Sequence, residues 1–214
     1  LTGAAPSELV LLGPDEVRVT AGDKLAITIE GDDALKEQMR FTLKDGALGI
    51  LRKDKTFSGS DKIAIVNVTM PAPTELVMAG SGKITAGTLA NAAKVTIAGS
   101  GQIETPAVQG ESLDVTIAGS GNYRAAGNVK SLKLTVAGSG SAGMDALKAD
   151  TVKVTIAGSG STTFASDGDV DATIMGSGDV TVKGRARCKV SAMGSGKLTC
   201  EAGATGKAEP ATAE

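Results

Sequence analysis

The stretch Lys94-Val-Thr-Ile-Ala-Gly-Ser-Gly101 recurs as Asp114-Val-Thr-Ile-Ala-Gly-Ser-Gly121, Lys133-Leu-Thr-Val-Ala-Gly-Ser-Gly140 and Lys153-Val-Thr-Ile-Ala-Gly-Ser-Gly160. Two looser copies follow, Asp171-Ala-Thr-Ile-Met-Gly-Ser-Gly178 and Lys189-Val-Ser-Ala-Met-Gly-Ser-Gly196. The tripeptide itself occurs seven times, at steps of 18 to 20 residues. The copies are Gly80-Ser81-Gly82, Gly99-Ser100-Gly101, Gly119-Ser120-Gly121, Gly138-Ser139-Gly140, Gly158-Ser159-Gly160, Gly176-Ser177-Gly178 and Gly194-Ser195-Gly196. A fixed period of this length is the mark of a repeat architecture.

Each copy holds short alternating segments and no helical period, so the unit is built of strands. A unit of about 19 residues is too short for a four-stranded propeller blade and suits one coil of a parallel β-helix. The chain therefore reads as an all-β, single-stranded solenoid. Alternation assigns the sides: Val95 and Ile97 point inward, while Lys94, Thr96 and Ala98 point out. Past the corner, Ile84, Ile103, Tyr123, Ala142, Thr162, Val180 and Leu198 form an inward row. Ala86, Thr105, Ala125, Met144, Phe164, Val182 and Cys200 form a second, and Leu113, Leu132, Val152, Val170 and Cys188 a third. These rows are mostly small or branched, as a narrow interior requires.

Glycine at the corner supplies backbone angles that a Cβ forbids, and stacked corners would align the serine hydroxyls as a ladder. A phosphate cradle is the functional alternative for Gly80-Ser-Gly-Lys83 and Gly194-Ser-Gly-Lys197. It fails because the upstream glycine is missing, Ile84 and Leu198 stand where Ser or Thr should, and no helix follows. The residue opening each copy is charged: Glu75, Lys94, Asp114, Lys133, Lys153, Asp171, Lys189. Only Lys133 and Lys153 are like-charged neighbours, so the file serves register better than it serves attraction of any polyion. Beside it runs Thr96, Thr116, Thr135, Thr155, Thr173 and Ser191, a single file hemmed by those charges and therefore poorly suited to binding ice.

Residues 1–74 lack the corner but remain strand-rich, and are expected to begin or cap the same solenoid. Val17 and Val19, Leu25, Ile27 and Ile29, Phe41 and Leu43, then Ile63, Ile65 and Val68 carry the apolar pattern. Asp33 to Gln38 reads as one helical turn capped by Asp32 or Asp33. Pro71-Ala-Pro73 marks the junction with the regular repeat over 75–202, and 203–214 reads as a flexible tail.

Composition narrows the chemistry. The 214 residues include 29 Gly, 3 Phe, 1 Tyr and no Trp or His, with a net charge of −2. Without histidine there is no imidazole base and no histidine metal ligand. The charges are interspersed, so no basic face for nucleic acid is formed, and no apolar run reaches membrane-spanning length. No cofactor motif is present, and no cofactor or metal is expected. The chain opens at Leu1 without a Met, which suits either a trimmed chain or one processed after export. Cys188 and Cys200 match no zinc or redox spacing. They are either a disulfide pinning the final coil or two small core thiols.

The run Phe41-Thr-Leu-Lys-Asp-Gly-Ala-Leu48, the segment Ile63-Ala-Ile-Val-Asn-Val-Thr-Met-Pro71 and the repeated Ala/Met-Gly-Ser-Gly corners resemble the putative auto-transporter adhesin, head GIN domain family (DUF2807). The resemblance runs from about Glu16 to Gly203. It implies a right-handed parallel β-helix in a bacterial protein exported to the periplasm or cell surface, often lipid-anchored or secreted. The family supplies no catalytic residues to carry over.

Three functional classes follow. The leading expectation is a non-catalytic, adhesin-like surface or periplasmic domain that binds an unknown protein or glycan along its side. The outward positions that differ most from coil to coil are Lys83, Gln102, Asn122, Ser141, Ser161, Asp179 and Lys197, with Thr85, Glu104, Arg124 and Thr163 beside them. The rival is a lyase or hydrolase acting on polysaccharide, for which the densest acidic cluster is Asp167, Asp169, Asp171 and Asp179. Asp167 and Asp169 flank Gly168 in a turn, where Asp is expected anyway. The third class is self-assembly into homo-oligomers, which open coil ends and flat ladders permit.

Overall fold

The computed structural model describes residues 4–53 and 62–201, so the tail expected over 203–214 lies outside the described residues. The chain winds as a β-solenoid of about seven turns with about 19 residues per coil and a parallel sheet. Each regular coil has one leg before the Gly-Ser-Gly corner and one after it. The early coils use short strands for these legs: β1 (Glu8–Leu12), β2 (Glu16–Ala21), β3 (Ala26–Glu30), β4 (Met39–Lys44), β5 (Ala47–Arg52), β6 (Ile65–Met70), β7 (Glu75–Gly80), β8 (Lys83–Ala86) and β9 (Ala92–Gly99). The strand then runs almost unbroken from one corner to the next in β10 (Gln102–Gly119), β11 (Asn122–Gly138), β12 (Ser141–Gly158) and β13 (Ser161–Gly176). The last coils are β14 (Asp179–Lys183), β15 (Arg187–Gly194) and β16 (Lys197–Cys200).

Equivalent positions sit above one another in files. Ile50, Leu11, Met78, Ile97, Ile117, Val136, Ile156, Ile174 and Ala192 are successive register partners through the pre-corner leg. From Ile50 to Ile174 every one is fully buried. Each such side chain contributes roughly 1.5–3 kcal/mol on leaving water, and the file repeats that gain coil by coil. Tyr123 and Phe164 are the largest inward residues past the corner, and Tyr123 also carries a polar atom inside. Its ring fills the interior and its hydroxyl shares a 2.6 Å hydrogen bond with Thr105 Oγ1 one coil away, so the buried polar atom is satisfied. Burial pushes the phenol pKa upward, and the bond to Thr105 opposes this only in part.

The corner works through backbone, not hydroxyls. Ser100, Ser120, Ser139, Ser159 and Ser177 donate their N–H groups to Gly80, Gly99, Gly119, Gly138 and Gly158 carbonyls of the preceding coil at 2.9–3.0 Å. The expected ladder of serine hydroxyls does not form among the described residues. The two glycines of a corner have different reasons. Gly119 has φ +118°, closed to most L side chains. Gly121 has no such angle, but a Cβ there would lie 2.4 Å from Ile97 Cγ2 and 2.8 Å from the Gly101 carbonyl oxygen. The coils approach so closely that only hydrogen fits.

At the N-terminal end, chain order departs from spatial order. The coil β1–β2 turns through Gly13-Pro14-Asp15 and stacks directly under β7–β8, with Gly82 N–H donating to Gly13 O. The coil β5–β6 lies on the opposite side of β1–β2. Two antiparallel strands close the stack, β4 on β5 and β3 on β6, joined through the helix α1 (Asp33–Gln38). The Asp32 carboxylate does not cap α1 and pairs instead with Lys62. Ile63 is exposed and Ile65 half-buried, while Ala64, Val66, Val68 and Met70 point inward. Register of Val66 and Val68 with Val17 and Val19 of β2 imposes that phase.

A buried ion pair fixes this end. Asp15 is wholly buried and accepts from Arg52 Nε at 2.9 Å, Arg52 Nη2 at 2.6 Å and the Ala64 N–H at 2.9 Å. The bidentate carboxylate raises the Arg52 pKa further. Removing one partner of such a pair generally costs about 3–5 kcal/mol.

The two roles of the corner separate by mutation. Gly121→Ala should lower stability by about 1–3 kcal/mol through overpacking against Ile97 and the Gly101 backbone. Ser120→Ala, which keeps the N–H, should stay within about 0.5 kcal/mol of wild type. Urea unfolding of both variants, followed by circular dichroism, checks the pair. An equal loss in both would restore the hydroxyl ladder.

Candidate functional site

The solenoid offers two long lateral faces of different character. On the pre-corner leg the outward positions repeat: the charged file, the threonine file and an alanine file that ends in Met175 and Met193. Two neighbouring pairs of the charged file close into ion pairs, Lys94 with Glu75 at 3.0 Å and Lys133 with Asp114 at 3.3 Å. The Glu75 contact raises the Lys94 pKa, first by hydrogen bonding and then by charge.

The post-corner leg is different. Its outward positions change from coil to coil and are polar. Two files run along it, Lys83, Gln102, Asn122, Ser141, Ser161, Asp179 and Lys197, and Thr85, Glu104, Arg124, Gly143, Thr163, Thr181 and Thr199. Glu104 is held by Lys83 Nζ at 2.8 Å and by Gln102 Nε2 at 2.6 Å. Ser141 Oγ donates to the Asn122 side-chain oxygen. The sequence singled out most of these positions, and their register alignment brings them onto one surface. Gly143 had no visible role in the sequence. It lies between Arg124 and Thr163, in a depression of about 210 Å³ lined by residues of β11, β12 and β13.

Of the four acids singled out, Asp167 and Asp169 lie off this face and are ion-paired. Asp167 is bound by Lys148 at 2.6 Å and by the Arg185 backbone N–H, and Asp169 makes a two-pronged contact with Arg187 at 2.8 and 2.9 Å. These hydrogen bonds hold both carboxyls below their ordinary value of 3.8. A general acid needs the opposite shift. Asp171 stands in register between Lys153 and Lys189, and Asp179 lies on the separate post-corner face. Asp169 and Asp171 line one cavity with Lys153, Arg187 and Lys189, whereas Asp167 and Asp179 are not part of its lining, so the four acids do not share one site. Among the described residues no three Asp, Glu or Cys side chains gather at metal-binding distance.

Cys188 and Cys200 are joined in a disulfide that ties β15 to β16 in the last coil. This coil is open: Val190, Leu198 and both cysteines are only half-buried, and Met193 is 69% exposed. Sequence reading missed Asp15 and Arg52, because nothing in a lone Asp after Pro14 signals a partner 37 positions away.

A parallel β-solenoid with a repetitive pre-corner face and a polar post-corner face defines the chain as a repeat scaffold. The chain belongs to the family described as putative auto-transporter adhesin, head GIN domain (DUF2807), whose model matches residues 5–186. Several solved bacterial structures share the fold. A putative adhesin from Bacteroides fragilis superposes with a TM-score of 0.81 at 20% identity, covering 92% of each chain. A putative lipid binding protein from Parabacteroides distasonis gives a TM-score of 0.71 at 25% identity, covering 94% of each. A putative adhesin from Parabacteroides merdae gives 0.65 at 17% identity, covering 94% of this chain and 91% of that one. No curated protein sequence matches the chain. Among the described residues no helix is long and apolar enough to cross a membrane.

The Asp169–Arg187 pair carries a pH signature. A carboxyl whose pKa is depressed by folding stabilises the native state above its unfolded value, and that stabilisation is lost as pH falls through the lower folded value. Asp169→Asn should therefore melt below wild type at pH 6, and the gap should narrow at pH 3 as the pH falls towards the depressed folded value. Thermal unfolding at the two pH values tests this, and a gap that persists unchanged in acid would refute it.

Proposed function

We propose that this chain is a non-catalytic, exported binding domain that engages a protein or glycan through its post-corner face. The observation that carries the reading is the division of the surface. The pre-corner leg repeats a threonine and an alanine file, whereas the post-corner leg varies its polar residues, most of all from Lys83 and Glu104 to Ser161. Solenoids use such extended faces to hold macromolecules. The family description and the adhesin neighbours support the binding class. The disulfide supports an oxidising compartment outside the cytoplasm. Ion pairing of Asp167 and Asp169 weighs against the rival hydrolase or lyase reading.

Glycan and extracellular-protein arrays probed with micromolar chain should show saturable binding that weakens when post-corner residues are changed. An absence of saturable binding across both arrays would overturn the proposal.

A second reading attaches to the capped end. Leu25, Ile27, Ile29 and Phe41 of the antiparallel cap line a cleft of about 350 Å³, and the 25% identical neighbour is a putative lipid binding protein. In this reading an acyl chain lies between β3 and β4. A fluorescent fatty acid should then titrate to saturation and be displaced by Ile27→Asp. A linear, unsaturable signal removes it.

A further inference from the structure

Glycine inside a strand weakens it, and marks either a bulge or a place where something else must come close. The corner glycines are explained by their backbone angle or by the preceding coil. Gly143 is explained by neither. Its φ lies outside the left-handed region, and the nearest atom to a Cβ built there would be Arg124 Cγ at 4.0 Å, an ordinary contact. In its file, from Thr85 through Thr199, every other position carries a side chain. The missing side chain opens the depression of about 210 Å³.

Arg124 borders that depression and has no partner among the described residues. Five of the six arginines have a carboxylate or carbonyl partner: Arg18, Arg40, Arg52 and Arg187 by hydrogen bonds, and Arg185 by a looser ion pair with Asp167 at 3.9 Å. Arg124 alone makes no ion pair or hydrogen bond among the described residues. Its natural partner is Glu104, directly opposite in register, but that carboxylate is taken by Lys83 and Gln102 on the far side. The guanidinium, with its planar fork of donors, is left beside an unfilled hollow.

We infer that the hollow over Gly143 is a subsite for a carboxylate-bearing sugar unit, with Arg124 binding the carboxylate and Asn122, Ser141, Ser161 and Thr163 binding ring hydroxyls. This rests on the binding reading above and names its ligand class. Arginine holds carboxylates in a two-pronged contact that lysine cannot copy. The other four side chains are short hydroxyls and an amide, about 4.8 Å apart across coils and about 6.6 Å apart along a strand, which suits a densely hydroxylated ring. The volume falls below the range of about 300–1,000 Å³ of drug-sized pockets, so it takes one unit of a chain. An acidic protein surface is the less suited anion. The large exposed apolar side chains are Leu12, Ile63, Met175 and Met193, and none lies on this face, whereas protein interfaces are anchored by such groups. One exposed contact is weak, so useful affinity comes from successive units of a polymer.

The test titrates the full chain with tri-galacturonate, its methyl ester and a glutamate trimer, followed by amide and Arg Nε chemical shifts. Tri-galacturonate should saturate, with shifts centred on Arg124, Ser141, Gly143 and Thr163. Esterification, Arg124→Gln and Gly143→Val should each weaken binding at least tenfold, and Gly143→Val should melt no earlier than wild type. Equal binding of acid and ester, or undiminished binding by Gly143→Val, would overturn the subsite. Tighter binding of the glutamate trimer at the same residues would assign the site to a protein partner instead. If none of the three probes binds, the subsite falls. A ligand from the arrays that still binds Arg124→Gln would then leave the broader binding function standing.

Discussion

Coil-to-coil contact at the corners sets the geometry of everything else. A glycine carbonyl of one coil meets the N–H of the serine one coil on, and the approach is close enough that a Cβ at Gly121 or Gly140 would enter the preceding carbonyl and the inward Ile97 or Ile117. That contact holds the β-ladder in phase, because a slip by one residue would turn every inward Val and Ile outward. Side-chain files are its consequence. The hydrophobic interior then adds energy without having to define register by itself, which is why small residues such as Ala142 and Ala172 are tolerated inside.

A parallel stack has two open edges, and this chain treats them differently. At the N-terminal end the chain leaves β2, runs antiparallel over the neighbouring coil as β3 and β4, and returns as β5, so the edge is covered by strands of reversed direction. The buried Asp15–Arg52 pair locks the corner of one coil to the end of β5 and the start of β6 in the next, through Arg52 and the Ala64 N–H. At the other end β15 and β16 have no following strand among the described residues. There the constraint is covalent, and the disulfide joins the two legs across a coil too exposed to be held by apolar burial alone.

The regular part of the fold was legible because its determinants are local and repeated. Glycine at Gly99 or Gly119 reports a backbone angle, and alternation around Val95 and Ile97 reports a side, so coil, corner and inward rows follow from spacing. The serine ladder was misread for a physical reason: sequence shows the hydroxyl, whereas the bond that forms uses the N–H present in every residue but proline. The N-terminal coils resisted because their pairing is non-local. The phase of β6 is set by Val17 and Val19, nearly fifty positions earlier, and the run Ile63 to Val68 is apolar on both sides, so alternation alone could not say whether Ile65 or Val66 faces inward.

The candidate site was half legible for a related reason. Its variable positions could be named from the repeat, since departure from a pattern is visible once the pattern is known. Gly143 could not, because 29 glycines make one more look ordinary, and only the space around each tells a required glycine from a dispensable one. Arg124 was visible as a charge but not as an unpaired one. Its pairing depends on which side of the strand Glu104 leans, and Lys83 and Gln102 decide that from a neighbouring coil and from its own strand. A scaffold whose backbone is fixed at the corners leaves such outward positions free to change without penalty to the fold. Under the proposed binding role, the positions on this surface that break the pattern without a structural reason are the ones that would carry information about a ligand.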